Sequence, residues 1–365
     1  MTSDDLIRPV GGIGTADRFA VGGKAAGLGE LCRAGLPVPR AFVVTALAFA
    51  RAMQDIDPAG EFGPAIGRLQ PADTAAIALV TADIRERIAA GPMPADVQGA
   101  ISASYRRLGE ELDDDGRGVP VAVRSSATGE DSAAASFAGL QDTYLWVRGA
   151  QSVLDHVRRC WASLYNAEAV AYRLRQGIGQ REMAMGVVIQ QMVAPVAAGV
   201  MFTCSPATGD RSLVAIEASW GLGSVLVSGE VTPDSFTVSK VTGQIVRRQV
   251  SRKTRLHRLH ESGYGVVADD VPAHLRDRPC VDDDQIRAIA RIGLAAEDHF
   301  GSPQDIEWAL AAGSGRDVVV VLLQSRPETV WASRAAQPLA MPKARAVDHV
   351  FEHLGRIVPG TRPER

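Results

Sequence analysis

Residues 121–143, VAVRSSATGEDSAAASFAGLQDT, constrain this chain more than any other stretch. They open as a short apolar strand, Val121-Ala122-Val123, and Arg124 stands where the strand is expected to give way to a polar loop. The loop carries Ser125, Ser126, Thr128, Glu130, Asp131, Ser132 and Ser136, with Gly129 and Gly139 as hinges, and a second apolar run begins at Tyr144. Small side chains let backbone N–H groups approach an anion, and glycine permits the φ > 0 turns that aim several of them at one point. An arginine at the root adds a planar donor fork that keeps its charge. The stretch reads as a grip for phosphate groups.

A second cation lies upstream. In VGGKAAGLGELCRAGLPVP, Gly22-Gly23-Lys24 precedes a helical pattern with Leu28 and Leu31 on one face, and Gly35, Pro37 and Pro39 end it. Lys24 therefore sits on the first turn of a helix, where an anion is already favoured. The spacing is not that of a Walker A loop. Taken alone, a solvated lysine beside a capping turn is the plainer reading.

Helices are expected over 71–90, 94–108 and 153–175, with Trp161, Leu164 and Tyr165 toward the core. The acidic run from Glu110 to Asp115 reads as a solvated loop. After Gly177 strands dominate: 185–193, 199–203, 213–218, 235–238 and 244–249. The change divides the chain into lobes at 1–180 and 181–330. Residues 331–365 form a linker and a candidate amphipathic helix over 344–358, with Val347, Val350, Phe351, Leu354 and Ile357 on one stripe. That stripe suits docking on its own lobe or on a partner. Trp220-Gly221-Leu222-Gly223 is a weak GxG motif, and no crossover helix follows it to support a dinucleotide site.

A helix over 282–300 leads to two last strands, 304–310 and 318–324. Asp305 and Glu307 are two apart, as are Gln324 and Arg326, so each pair shares a strand face. A hairpin would set all four side by side. Carboxylate and amide oxygens suit Mg²⁺, and an arginine beside them suits a phosphate. Glu307 lies in an apolar segment, where an uncompensated carboxylate is costly and a metal would remove the cost. A solvent-facing strand edge is the alternative.

Charge and cysteines limit the partners. Lysine plus arginine number 39 against 42 acidic residues, a formal charge of −3, which gives no support for nucleic-acid binding. Cys32, Cys160, Cys204 and Cys280 form no CxxC pair, so neither a zinc ribbon nor a disulfide framework is indicated, and a cytoplasmic protein with reduced thiols is expected. The first residues have no apolar signal region, and no apolar run reaches the roughly 18 residues of a membrane span.

The motifs VGGKAAGLGELCRAGLPVPRAFVVT, VAVRSSATGEDSAAASFAG, AGVMFTCSPATGD, IEASWGLGSVLVSGEVTPDSF and DIEWAL…LLQSRPET resemble, in order, the ATP-binding N-terminal domain of the phosphoenolpyruvate synthase family. Pyruvate phosphate dikinase, rifampin phosphotransferase and phenylphosphate synthase share that domain. The resemblance implies an α+β, ATP-grasp-like fold with ATP and Mg²⁺ in a cleft between two lobes. It makes Lys24, Arg124 and Arg326 the phosphate-binding cations. It makes the stretch from Ser136 to Gly139 the loop over the phosphates, with Thr143 ending it. Gln190, Met192 and Val193 would border the adenine. Gln191, between them, stands where many relatives carry Lys or Arg, which bears on any charged contact from that position. Glu307 and Gln324 would hold the metal, with Asp305 beside them.

Family members cleave ATP to AMP and pass the β-phosphoryl to a histidine on a swivelling domain. None of the seven histidines here has the Gly-Gly-x-Thr-Ser/Cys-His setting of that domain. The expectation is a catalytic ATP subunit that needs a histidine-bearing subunit or domain as partner, with a small-molecule acceptor (phenol-like or pyruvate) reached through it. A stand-alone subunit as in phenylphosphate synthase and an excised domain of a longer enzyme both fit. A non-catalytic ATP-binding regulatory module and a self-sufficient ADP-releasing kinase or ligase are the competing readings.

Overall fold

The computed structural model describes residues 3–110, 118–128, 142–179, 183–260, 262–312 and 318–331. Five antiparallel strands form a first sheet: β1 (Ile7–Pro9), β2 (Ala41–Val44), β3 (Val121–Ala127), β4 (Thr143–Val147) and β5 (Met185–Gln191), in the order β1-β2-β5-β3-β4. Period-two alternation gives this sheet two different faces. Val121, Val123, Val187 and Ile189 enter one hydrophobic cluster with Phe49, Ile84, Ile101, Val157 and Trp161. Those partners come from the helices α4 (Ala46–Ile56), α6 (Thr74–Ala90), α7 (Ala95–Glu110) and α8 (Ala150–Ser163). The shorter helices α1 (Ser3–Leu6), α2 (Arg18–Val21), α5 (Phe62–Gly67) and α9 (Ala167–Gln176) complete this half.

The second sheet has six antiparallel strands. They are β6 (Pro195–Phe202), β7 (Leu213–Trp220), β8 (Asp234–Ser239), β9 (Ile245–Gln249), β12 (Gln304–Ala312) and β13 (Val318–Pro327), ordered β13-β12-β6-β7-β8-β9. Between them in the chain lie a one-turn helix α10 (Ser224–Val227), a separate hairpin of β10 (Arg255–Leu259) with β11 (Val266–Asp270), and α11 (Asp283–Phe300). The last helix has a capping box, Asp282 with Gln285, and ends on Gly301 in the left-handed region.

Helix α3 (Gly23–Arg33) joins the halves. Its Ala25, Leu28 and Leu31 are buried in one cluster with Val43 and Val188 of the first sheet and Met201, Ile306 and Leu322 of the second. The approach is close to both sheets. Gly22, at φ +84°, has no room for a side chain, because a Cβ would stand 1.9 Å from the Ser126 carbonyl oxygen. A Cβ on Gly27 would stand 2.6 Å from the Ser325 carbonyl oxygen of β13.

The structure departs from sequence expectation in several places. β5 lies beyond residue 180, the point dividing the expected lobes, yet it fills the centre of the first sheet. β3 does not stop at Val123. It continues to Ala127 with every residue buried, because Ser125 Oγ donates to the Asp142 carbonyl (3.0 Å) and Ser126 Oγ accepts from the Ala25 N–H (3.1 Å). The helix expected over 153–175 is broken into α8 and α9 at Asn166, whose ψ of 141° is extended. The β10–β11 hairpin was not anticipated, since its strands carry Arg255, His257 and Arg258 rather than an apolar alternation. Ser136, Gly139 and the candidate helix at 344–358 lie outside the described residues. Among those residues no helix is long and apolar enough to cross a membrane, and all four cysteines are free.

Candidate functional site

Alternation along β3 sends Val121 and Val123 to the helical core and Arg124 to the opposite face, toward the second sheet. Arg124 is 8% exposed. Its Nη2 donates to Glu307 Oε2 and to Gln324 Oε1, both at 2.7 Å. Its Nη1 donates to the Leu323 carbonyl at 2.7 Å and to Gln190 Oε1 at 3.3 Å. One guanidinium thus spans both sheets, meeting β5 on its own side and β12 and β13 on the other.

The acceptors are placed by strand register. Glu307 pairs directly with Gln324, and Asp305 with Arg326, across β12–β13. A register shift follows Glu307, so the ladder is irregular just after the carboxylate. Arg326 donates Nε and Nη2 to Asp305 Oδ2 at 2.8 and 2.7 Å. Burial pushes the Asp305 carboxyl above the usual aspartate range, and Arg326 only partly offsets this. The side-by-side arrangement of these four residues is therefore as the spacing indicated. Arg124 pairs with the half-buried Glu307 carboxylate.

Between the sheets lies a cavity of about 250 Å³. Arg124, Gln190 and Glu307 supply its charged and amide wall, and Met192, Val193, Leu222 and Val227 its apolar wall. Thr143 also lines it, at the start of β4. Gln190 Nε2 is buried without a hydrogen-bond partner, although Gln190 Oε1 accepts from Arg124. A buried donor left unmade is costly, and this one belongs to a residue of the cavity wall.

The structure does not bring every expected residue to that wall. Lys24 is half-buried on the first turn of α3, near enough to the Cys160 thiol for its charge to act on it, and does not line the cavity. Nor do Gln324, which meets the site through Arg124, or Asp305 and Arg326, which face each other along the hairpin. Sequence reading missed Leu222, Ser224 and Val227, because a one-turn helix leaves no periodicity to read.

No group of three or more His, Cys, Asp or Glu among the described residues could hold a metal. Glu307 and Gln324 still fit Mg²⁺, which takes one or two protein oxygens and completes its shell with phosphates and water. The unpaired Gln190 donor and the Arg124 fork fit a nucleotide with phosphates.

The fold and site define a mixed helix-and-sheet domain in which an arginine, a carboxylate and two amides meet between two antiparallel sheets. Residues 19–346 match the family model described as the pyruvate phosphate dikinase AMP/ATP-binding domain, and the chain belongs to that family. It is 44% identical over 317 residues to a probable phosphoenolpyruvate synthase of Methanothermobacter thermautotrophicus, covering 87% of this chain and 45% of that protein. It is 42% identical over 329 residues to a rifampicin phosphotransferase of a Streptomyces species, covering 90% of this chain and 36% of that one. A phosphoenolpyruvate synthase of Aeropyrum pernix is 38% identical over 371 residues, covering 93% and 44%. The chain spans less than half the length of these relatives.

Proposed function

We propose that this chain binds ATP with Mg²⁺ between the two sheets and performs the first half of a dikinase-type phosphotransfer. ATP is cleaved to AMP, with the β-phosphoryl passing to a histidine on a separate subunit or domain and the γ-phosphoryl released with water as inorganic phosphate. The observation that carries this reading is the Arg124 guanidinium at the cavity wall, shared among Gln190, Glu307 and Gln324 from opposite sheets. Relatives named for phosphoenolpyruvate synthesis and for rifampicin phosphorylation support the reaction class.

In this reading the sheets are two ATP-grasp-like lobes, divided near residue 180, with β5 as the strand that the later lobe contributes to the first sheet. Phosphoryl transfer is largely positioning and charge neutralisation. Arg124 orients the phosphates from one sheet. Lys24 and Arg326, on α3 and β13, take the phosphate oxygens that extend beyond the cavity. Glu307 and Gln324, through their side-chain oxygens, would hold Mg²⁺, which would supply charge neutralisation to the phosphates. Each of these oxygens has a second lone pair beside the one that Arg124 uses. The base lies against Met192, Val193 and Leu222, with Gln190 Nε2 as a donor toward it. Asp305 holds the Arg326 fork in place. The final acceptor, phenol-like or pyruvate, is chosen by the histidine-bearing partner, as in phenylphosphate synthase.

The product nucleotide tests this reading. With Mg²⁺, ATP and a histidine-bearing phosphotransfer domain, chromatography should show AMP. ADP as the sole product would refute the dikinase assignment.

A further inference from the structure

A second cavity, of about 350 Å³, opens on the first half of the molecule and shares no lining residue with the one between the sheets. On one side is the face of α7 that carries Ser104, Arg107 and Leu108, brought into line by their i, i+3, i+4 spacing. On the other side are Val10 and Gly11, in the turn after β1, and the stretch from Val38 to Phe42 that leads into β2. Cys32, in the last turn of α3, also lines it. The two cavities meet neighbouring strands. Ala41 pairs with Gln190 across β2–β5, and the Arg40 carbonyl accepts from the Gln191 N–H at 2.8 Å.

Two polar groups of this cavity, Ser104 and Arg107, are not used by the fold. Ser104 is 7% exposed. A helical serine often spends its hydroxyl on the carbonyl one turn back. Among the described residues the Ser104 hydroxyl has no hydrogen-bond partner, and a buried hydroxyl left without one is costly. Arg107 is exposed and, among the described residues, makes no ion pair. Arg40 adds positive charge from the β2 side. Most of the remaining lining is apolar, with Val10, Val38, Phe42 and Leu108. The positive charge excludes a cation. A bare inorganic anion would leave the apolar wall wet. A carboxylate matches the planar arginine fork, and a hydrocarbon body matches the wall. The volume is at the small end of ligand sites, so the molecule is small.

We propose that this cavity is a second ligand site, which takes a small organic acid whose carboxylate accepts from Arg107 and Ser104 and whose hydrocarbon body lies against Val10, Phe42 and Leu108. The proposal is independent of the nucleotide reading, because the two cavities have separate linings. The test is calorimetric titration of the full chain with benzoate and with hexanoate, one flat body and one flexible, against benzamide and inorganic phosphate. At least one of the two acids should bind saturably, and benzamide and phosphate at least about tenfold more weakly, the factor for losing a charge-assisted hydrogen bond or the apolar contact. Arg107→Ala should weaken the acid about tenfold, and Ser104→Ala about fivefold. Neither change removes a contact that the fold uses, so both variants should keep the wild-type Tm. Cys32 supplies a readout at the site itself. It is half-buried while Cys160, Cys204 and Cys280 are buried, and burial pushes its thiol up, so alkylation by iodoacetamide is followed under mildly alkaline conditions by peptide mass. The bound acid should slow modification of Cys32, and saturating ATP should not displace it. Failure of both acids to bind, equal binding of benzamide, undiminished binding in Arg107→Ala, an unprotected Cys32 or displacement by ATP would each overturn the proposal.

Discussion

Arg124 is the residue on which the two sheets agree. A lysine could not replace it, because one ammonium nitrogen cannot serve Glu307 and Gln324, as Nη2 does, while a second reaches the Leu323 carbonyl and Gln190, as Nη1 does. Arg124→Ala should lower AMP formation at least about 100-fold, the scale for losing one preorganised donor of transition-state charge. Arg124→Lys should recover little of this. Steady-state assays of AMP release at saturating ATP check both, and near-normal turnover in either variant would contradict the assigned role. The sequence made Arg124 conspicuous, as the charged residue at the end of an apolar run. It did not reveal that the strand continues past it. Ser125 and Ser126 read as loop residues because the groups that satisfy them, at Asp142 and Ala25, lie 17 and 101 residues away. Glu307 was likewise legible as an ionisable group in an apolar strand, but its partner, 183 residues distant, was not.

At the scale of elements, α3 is the wedge between the sheets, and Glu30 fastens it. Burial alone would raise the Glu30 carboxyl. Hydrogen bonds from His299 and from the Thr15 N–H and hydroxyl, with the charge of Arg33, outweigh burial and hold it below the ordinary glutamate range. A carboxylate depressed in the folded state contributes stability above its unfolded pKa and loses it as pH falls through the folded one. Glu30→Gln should therefore have a lower Tm than the wild type at neutral pH. Its Tm should also fall less between about pH 6 and pH 3, since the titrating group is gone. Parallel Tm profiles for the two proteins in scanning calorimetry would contradict the assignment. The α3 helix itself was readable from Leu28, Leu31 and the stop at Gly35. Its burial on both sides was not, because Gly27 and Gly29 are contact points without side chains to signal them. The β10–β11 hairpin, which carries His257, escaped notice for a related reason: charged strands held by few apolar contacts leave no alternation to find.

At the scale of the molecule, two antiparallel sheets contribute opposite halves of one site. β3 and β5 bring Arg124 and Gln190, and β12 and β13 bring Glu307 and Gln324. This convergence explains why motifs spread over some three hundred residues carried the family resemblance together, although each motif alone was weak. The central claim of the proposed function belongs to this scale: that this chain activates ATP and a histidine elsewhere receives the phosphoryl group. The most direct measurement follows the label. The chain is mixed with Mg²⁺, a histidine-bearing phosphotransfer domain and ATP labelled at either the β- or the γ-phosphorus. The expected result is label on the histidine from β-labelled ATP only, with γ-label released as inorganic phosphate. Transfer of the γ-label to the histidine, with ADP left behind, would contradict the account.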